Sequence, residues 1–338
     1  MRLGTLILAL FLVSAFAKEE EKKDKKGKNE DELKVSGVLE AGFDINNKVH
    51  KDETDYNKIG YGKIEISARP VKKVRAEFGL EYKTGDSSLV IDKLLAQYNF
   101  SDFGGVRIGY MKKSFGLEER AGLDERYFHK RSIINDRLES FMHLNHDLTL
   151  QYRHKLGENW RLTGGFSWAA DTSRELYHQN YSVEYEGSNA NLVLAGIIGH
   201  FTHENYDLVA WTTSVSFKYT AKLFVSETEF TFGNNPHLKY FDDRDVLILG
   251  ARMQEYFPFE TGFKTLRQVI PIAEAAVYVA DLDNSQNYEA QLRAGLTLGF
   301  AKNSAFQWRN TYGTRLRVID GDSEQTHRRF DSEVVVIF

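Results

Sequence analysis

From Lys34 onward, apolar and polar residues alternate with a period of two, the spacing of strands that turn one apolar face away from one wet face. The clearest stretch is Leu208 to Tyr219, where Val209, Trp211, Val215, Phe217 and Tyr219 share one side and Ala210, Thr212, Ser214, Ser216 and Lys218 the other. Tyr288 to Phe300 and Val74 to Lys83 repeat the pattern. Each run is about 10 to 13 residues long, which suits a tilted strand crossing the hydrocarbon of a bilayer. The whole chain yields about sixteen such strands. They fall near 34–43, 58–68, 73–83, 89–100, 104–112, 146–155, 160–169, 176–186, 190–200, 207–219, 222–232, 245–256, 267–279, 288–300, 304–317 and 329–338. Those near 58, 190, 222 and 267 alternate poorly.

The connections obey a second regularity. Even-to-odd connections are short, as at Pro70–Lys72, Ser101–Phe103, Gly157–Asn159 and Gly187–Asn189, whereas odd-to-even ones include 44–57, 113–145, 233–244 and 318–328. Short turns on one side and longer loops on the other mark an all-β, transmembrane, antiparallel up-and-down β-barrel. The run 257–266 is long for its side, and 84–88 is short for the other. Composition agrees: 13% aromatic residues, 26 Gly and only 4 Pro fit a barrel that places Tyr and Phe at the lipid interfaces. A net charge of −4 gives no reason to expect a nucleic-acid partner.

The first residues have the form of an export signal: Arg2, an apolar run from Leu3 to Phe16, and Ala15-Phe16-Ala17 as the cleavage element. Residues 1–17 are therefore expected to be removed, and roughly 14 apolar residues are too few to span a bilayer. Residues 18–33 are almost wholly charged and predict a solvated periplasmic arm. With no Cys anywhere, neither a disulfide nor a lipid-modified Cys is possible. Val334 to Phe338 forms an apolar terminal strand, and Phe338 is the expected signal for the barrel-assembly machinery of an outer membrane.

A barrel of about sixteen strands is wide enough to hold water, so whatever narrows it sets its properties. The connection 113–145 is the longest and follows the fifth strand; it carries Arg120, Arg126, Lys130, Arg131 and Arg137 beside several acids. It is expected to fold inward, the alternative being a solvated external loop. On the strands, parity points Arg75, Arg107, Arg153 and Arg161 inward, together with Arg252, Arg293, Arg309, Arg315 and Arg317. Guanidinium groups stay charged and match oxyanions, and rings of Arg or Lys build anion and phosphate pores. The competing reading pairs these cations with inward acids such as Glu77, Glu81, Glu184 and Glu289.

The segment Val106 to Glu118 resembles the strand-to-constriction-loop element of the phosphate-selective porin O and P family. Gly109, Lys112, Phe115, Gly116, Leu117 and Glu118 match it, while Tyr110, Met111 and Ser114 depart from its usual Gln, Phe and Pro. The resemblance implies a homotrimer in outer-membrane lipid, with an arginine-lined pore that passes small anions or phosphate. It offers Arg120, Arg126, Lys130 and Arg131 as the basic groups after the motif.

Two other classes compete. A barrel enzyme needs a nucleophile with a His partner, and no compact His-x-Ser element occurs; His143-x-x-His146 and His200-x-x-His203 could space a metal but read better as surface histidines. No catalytic residue, metal or cofactor is assigned. A surface receptor or adhesin that presents its external loops is the remaining alternative, and absence of pore conductance would favour it.

Overall fold

The computed structural model describes residues 32–83, 88–118, 128, 131–140, 146–168, 176–203, 206–234, 246–283, 287–300, 306–319 and 322–337. The expected signal 1–17 and the arm as far as 31 lie outside them, as do Arg120, Arg126, Lys130, His143 and Phe338.

Sixteen long strands follow one another as β1 (Glu32–Lys48), β2 (Glu53–Val71), β3 (Val74–Lys83), β4 (Ser88–Asn99), β5 (Gly104–Lys112), β6 (His146–Leu156), β7 (Trp160–Trp168) and β8 (Leu176–Glu186). They continue as β9 (Ala190–His203), β10 (Tyr206–Thr220), β11 (Val225–Asn234), β12 (Leu247–Tyr256), β13 (Gln268–Val279), β14 (Tyr288–Gly299), β15 (Phe306–Ile319) and β16 (Asp322–Ile337). Every strand pairs antiparallel with its neighbours in sequence, and β16 pairs with β1 from Val38 opposite Ile337 to Lys48 opposite His327. The sheet is therefore a closed barrel with no exposed edge, which is the condition for strands to cross hydrocarbon. Within the long β12–β13 connection, a two-residue strand, Phe259–Glu260, adds to the start of β13.

The period of two becomes an inside and an outside. Outward positions such as Leu39, Ile108, Tyr152, Phe217, Phe230, Leu292 and Trp308 are exposed, while the intervening Glu40, Gln151, Ser216, Glu229 and Arg309 are buried inside. Aromatic contacts gather at both rims. Phe100–Tyr152 and Trp160–Tyr185 lie at the short-turn end. Phe166–Tyr177, Trp211–Phe232 and Phe43–Phe330 lie at the opposite, loop end. Two such belts flanking an apolar wall are how a barrel meets the two water interfaces of a bilayer. A closed ladder of this kind is expected to survive detergent until boiled, shifting gel mobility on heating. A helix-dominated far-ultraviolet spectrum would contradict it.

Two expected loops are largely strand. β1 and β2 run on to a tight turn at Val49–Asp52, and β15 and β16 continue to Ile319 and back from Asp322, so most of 44–57 and 318–328 is paired ribbon. Above the lipid both faces meet water, so backbone pairing persists although hydropathic alternation stops. Polar pairs take over: Asn57 Nδ2 donates to Asp44 Oδ1 at 2.9 Å, Arg329 Nη2 lies 2.6 Å from Asp44 Oδ2, and Lys48 Nζ lies 2.8 Å from Asp55. β1 also starts two residues inside the span assigned to the arm.

Candidate functional site

The interior is organised by the segment that leaves β5. Gly109 sits at φ +151°, and a Cβ there would lie 2.0 Å from the Leu94 carbonyl oxygen, so the two strands can meet only at glycine. Beyond Lys112 the chain turns into the barrel. Lys113 Nζ, fully buried, lies 2.5 Å from Asp147 Oδ2. Gly116 at φ +58° places its backbone against Glu229, where a Cβ would come within 2.4 Å of Oε1. The amides of Leu117 and Glu118 then donate to Glu229 Oε2 at 3.0 and 3.4 Å. Glu118 in turn accepts from the Ser132 amide at 2.6 Å, the Ser132 hydroxyl at 2.5 Å and Asn135 Nδ2 at 2.8 Å. One carboxylate thereby ties the start of the loop to the first turn of a helix, α1 (Ile133–Ser140).

Apolar packing holds the helix to the wall. Phe115, Ile133, Ile134 and Leu138 form one buried cluster with Val193, Ala195 and Ile197 of β9, Ile248 of β12, and Ala276 and Tyr278 of β13. Gly250 leaves the room: its missing Cβ would meet Ile134 at 3.1 Å. Deeper toward the short-turn end, Phe128 packs with Val225, Tyr256, Ile270 and Ile272. Full burial of each such side chain contributes about 1.5–3 kcal/mol, whereas buried ion pairs often only repay their desolvation, so the apolar contacts decide where the helix docks. Replacing Phe115, wholly buried, by alanine is expected to cost about 3–5 kcal/mol. That cost should appear as faster limited proteolysis within 119–145 while the barrel itself stays heat-modifiable. Unchanged cleavage would refute the anchoring role.

The charged interior divides into two walls. On the loop-covered wall, Arg252 Nε bonds Glu274 at 2.9 Å, Arg293 Nε bonds the same carboxylate at 2.7 Å, and the Arg293 guanidinium lies 4.3 Å from the Phe128 ring centre. Arg309 bonds Gln307 at 2.9 Å and lies 3.8 Å from Glu333. Arg131, Arg252 and Arg309 are buried and the Arg293 side chain keeps 8% exposure, so these four are largely covered, unlike the open channel lining expected of them. Near the loop end, Glu289 gathers Arg315 at 2.6 Å, Arg317 at 3.7 Å and Arg137, and Asp136 lies 3.4 Å from Arg315. Arg315 and Arg317 keep 29% and 40% side-chain exposure, so they, with Arg137, are reachable by solute.

The opposite wall, β2 to β7, holds Arg75, Arg107, Arg153 and Arg161, all partly exposed. Arg75 Nε lies 2.9 Å from Glu77, Arg107 Nε donates to Gln97 at 2.7 Å, and Arg161 lies 3.2 Å from Glu184. Sequence parity missed a neighbouring group. The register shift between Gly79 and Leu80 gives β4 one extra residue, which turns Asp92 inward beside Lys93. Asp92 meets Lys63 at 2.8 Å and His146 Nε2 at 3.3 Å, while Lys93 reaches Glu77 at 3.1 Å. The adjacent charges Asp92-Lys93 in an otherwise alternating run were the available signal. Of the two His spacings, one member of each is described in contact with a ring: His146 stacks on Tyr110 and His200 on Tyr177 at 4.4 Å.

No family model matches the chain, and no curated protein matches it. Solved structures do. The anion-selective porin from Comamonas acidovorans superposes at a TM-score of 0.67 with 9% identity, covering 91% of this chain and 100% of that one. The outer membrane channel DcaP of Acinetobacter baumannii gives 0.65 and 11%, covering 93% and 99%. The trimer form of OmpT, an outer membrane protein of Vibrio cholerae, gives 0.62 and 12%, covering 91% and 100%. At such identities the likeness speaks to fold: this chain shares the closed antiparallel barrel of these outer-membrane proteins.

Proposed function

We propose that this chain is an outer-membrane porin, a water-filled channel for passive diffusion of small hydrophilic solutes, with a preference for small anions. The observation that carries it is the split interior: one wall is covered by the inward segment except near the loop end, while the other keeps Arg75, Arg107, Arg153 and Arg161 partly exposed inside a closed barrel. A barrel wall that is apolar outside and charged inside suits passage of water and ions and gives no support to a catalytic role. In this reading the segment 113–145 narrows the channel, and Arg120, Arg126 and Lys130 add to its positive field. The short-turn end faces the periplasm. The matched residues Gly109, Phe115, Gly116, Leu117 and Glu118 anchor the loop, so the resemblance to phosphate-selective porins supports the constriction architecture first and the permeant second. The trimer form of the Vibrio protein supports a homotrimer here. The test is swelling of liposomes that hold the purified barrel, with neutral sugars of graded size. Rates that fall steeply with solute size are expected; no swelling with the smallest sugar would overturn the reading.

A further inference from the structure

We propose that the wall opposite the inward segment carries a binding track for small zwitterions, solutes that hold one ammonium and one carboxylate as an α-amino acid does. The track is a ladder of side chains of alternating sign on β2, β3 and β4, leading from the loop end toward the short turns. Asp92 lies 2.8 Å from Lys63, Lys63 2.6 Å from Glu65, Glu65 3.4 Å from Lys93, Lys93 3.1 Å from Glu77, and Glu77 2.9 Å from Arg75 Nε. Lys63 stands opposite Glu81 in the register, and Arg75 is six positions back along β3, so the ladder covers roughly 20 Å of strand. At its loop end, His146 Nε2 lies 3.3 Å from Asp92.

The ladder differs from the rest of the charged interior in balance, in sharing and in access. Three acids meet three cations, so it exerts little long-range pull on a simple ion; the arginines nearer the short turns do that. Each of the four inner members, Lys63, Glu65, Lys93 and Glu77, has two partners of opposite sign. When the ammonium of a solute takes one place on Glu65 or Glu77, and its carboxylate one place on Lys63 or Lys93, no charge is left bare. The register shift in β4 is what completes this sharing, because the inward turn of Asp92 gives Lys63 its second partner. Lys63, Glu65 and Lys93 keep 19%, 32% and 28% side-chain exposure, so water already competes for their contacts and they exchange easily. Glu274 on the covered wall also lies between two arginines, yet its side chain has no exposure, and displacing a partner there would strand a charge out of water. A cation and an acid a few ångströms apart match a molecule whose two charged groups are joined through one carbon. A simple anion satisfies only half of such a pair, and an uncharged sugar satisfies neither half. Repetition of the pair along the wall gives the solute a next place to move to.

This rests on the open channel proposed above, so one assay reads both. Liposomes holding the purified full chain are given labelled glutamine, a zwitterion, or labelled arabinose, an uncharged sugar of nearly equal mass, each at micromolar concentration. Glutamine is expected to enter about threefold faster, the scale of one exposed ion pair, and to saturate. In the variant Glu65→Gln/Lys93→Gln, which removes one acid and one cation and keeps the net charge, the two solutes should enter alike. The variant Lys48→Gln/Asp55→Asn, which removes a comparable pair at the tip of the β1–β2 ribbon, should keep the advantage. Arabinose entry reports that each variant has folded and inserted, and Glu77→Gln/Lys93→Gln breaks the ladder at the next rung. Equal entry of both solutes into the unmodified barrel, or an advantage that the ladder variants keep, would overturn the track and leave a porin. Liposomes that take up neither solute would overturn the porin reading and the track with it.

Discussion

A channel in which Arg75, Arg107, Arg153 and Arg161 are all replaced by glutamine is expected to lose its anion preference, its reversal potential in a salt gradient moving to or past zero. These four are the arginines of the uncovered wall, and they share it with Glu77 and Glu184, which would remain. Their removal leaves Glu77, Asp92 and Glu184 against the cations Lys63 and Lys93. The shift should be larger in dilute salt, because screening extends over roughly 10 Å at 0.1 M and only about 3 Å at 1 M. Lys48 and Lys51 lie at the tip of the β1–β2 ribbon, above the lipid, and Lys48 already has Asp55 within 2.8 Å. Replacing those two should hardly move the potential. If the quadruple variant keeps the reversal potential of the unmodified channel, that wall is not the selective surface.

Replacing Glu118 by glutamine is expected to release the inward segment and raise single-channel conductance. The Glu118 carboxylate accepts from three donors on Ser132 and Asn135 and faces Arg252 at 3.8 Å, all of it buried. An amide in its place offers one acceptor oxygen and turns an NH₂ group toward donors. Breaking a buried charge arrangement typically costs about 3–5 kcal/mol, and here the cost falls on the joint between loop and helix rather than on the barrel ladder. Conductance and its noise should therefore rise while heat-modifiability stays. Hydrogen exchange at 133–140 should accelerate in parallel. Normal conductance with normal exchange would show that the apolar cluster alone fixes the helix.

The barrel was legible because lipid on one side and water on the other write a period of two into nearly every strand. Where the interior is not wet, the pattern failed, and the failures are informative. β9 and β13 alternate poorly because both faces are apolar: Leu194 turns outward while Val193 and Ile197 pack on the inward segment, and Ile270, Ile272 and Tyr278 do the same on β13. Loss of alternation in those two strands marks the docking face of the helix. The motif around Phe115 and Gly116 was also visible, although its role as an anchor needed Glu229, more than a hundred residues away, to be understood. Parity points Arg252, Arg293 and Arg309 inward, yet direction does not give access: their side chains keep 8% exposure or less, and coverage depends on contacts that no local pattern encodes. The extra residue at Asp92 and the paired ribbon beyond Asp44 escaped for related reasons, one being a register change and the other a stretch with water on both faces.

The measurement that bears most directly on a narrowed, open, positively lined barrel is a planar-bilayer recording of the reconstituted full chain under a potassium chloride gradient. Discrete current steps with a reversal potential on the anion-selective side are the expected result; a bilayer that stays silent at protein levels where the barrel is inserted and heat-modifiable would contradict it.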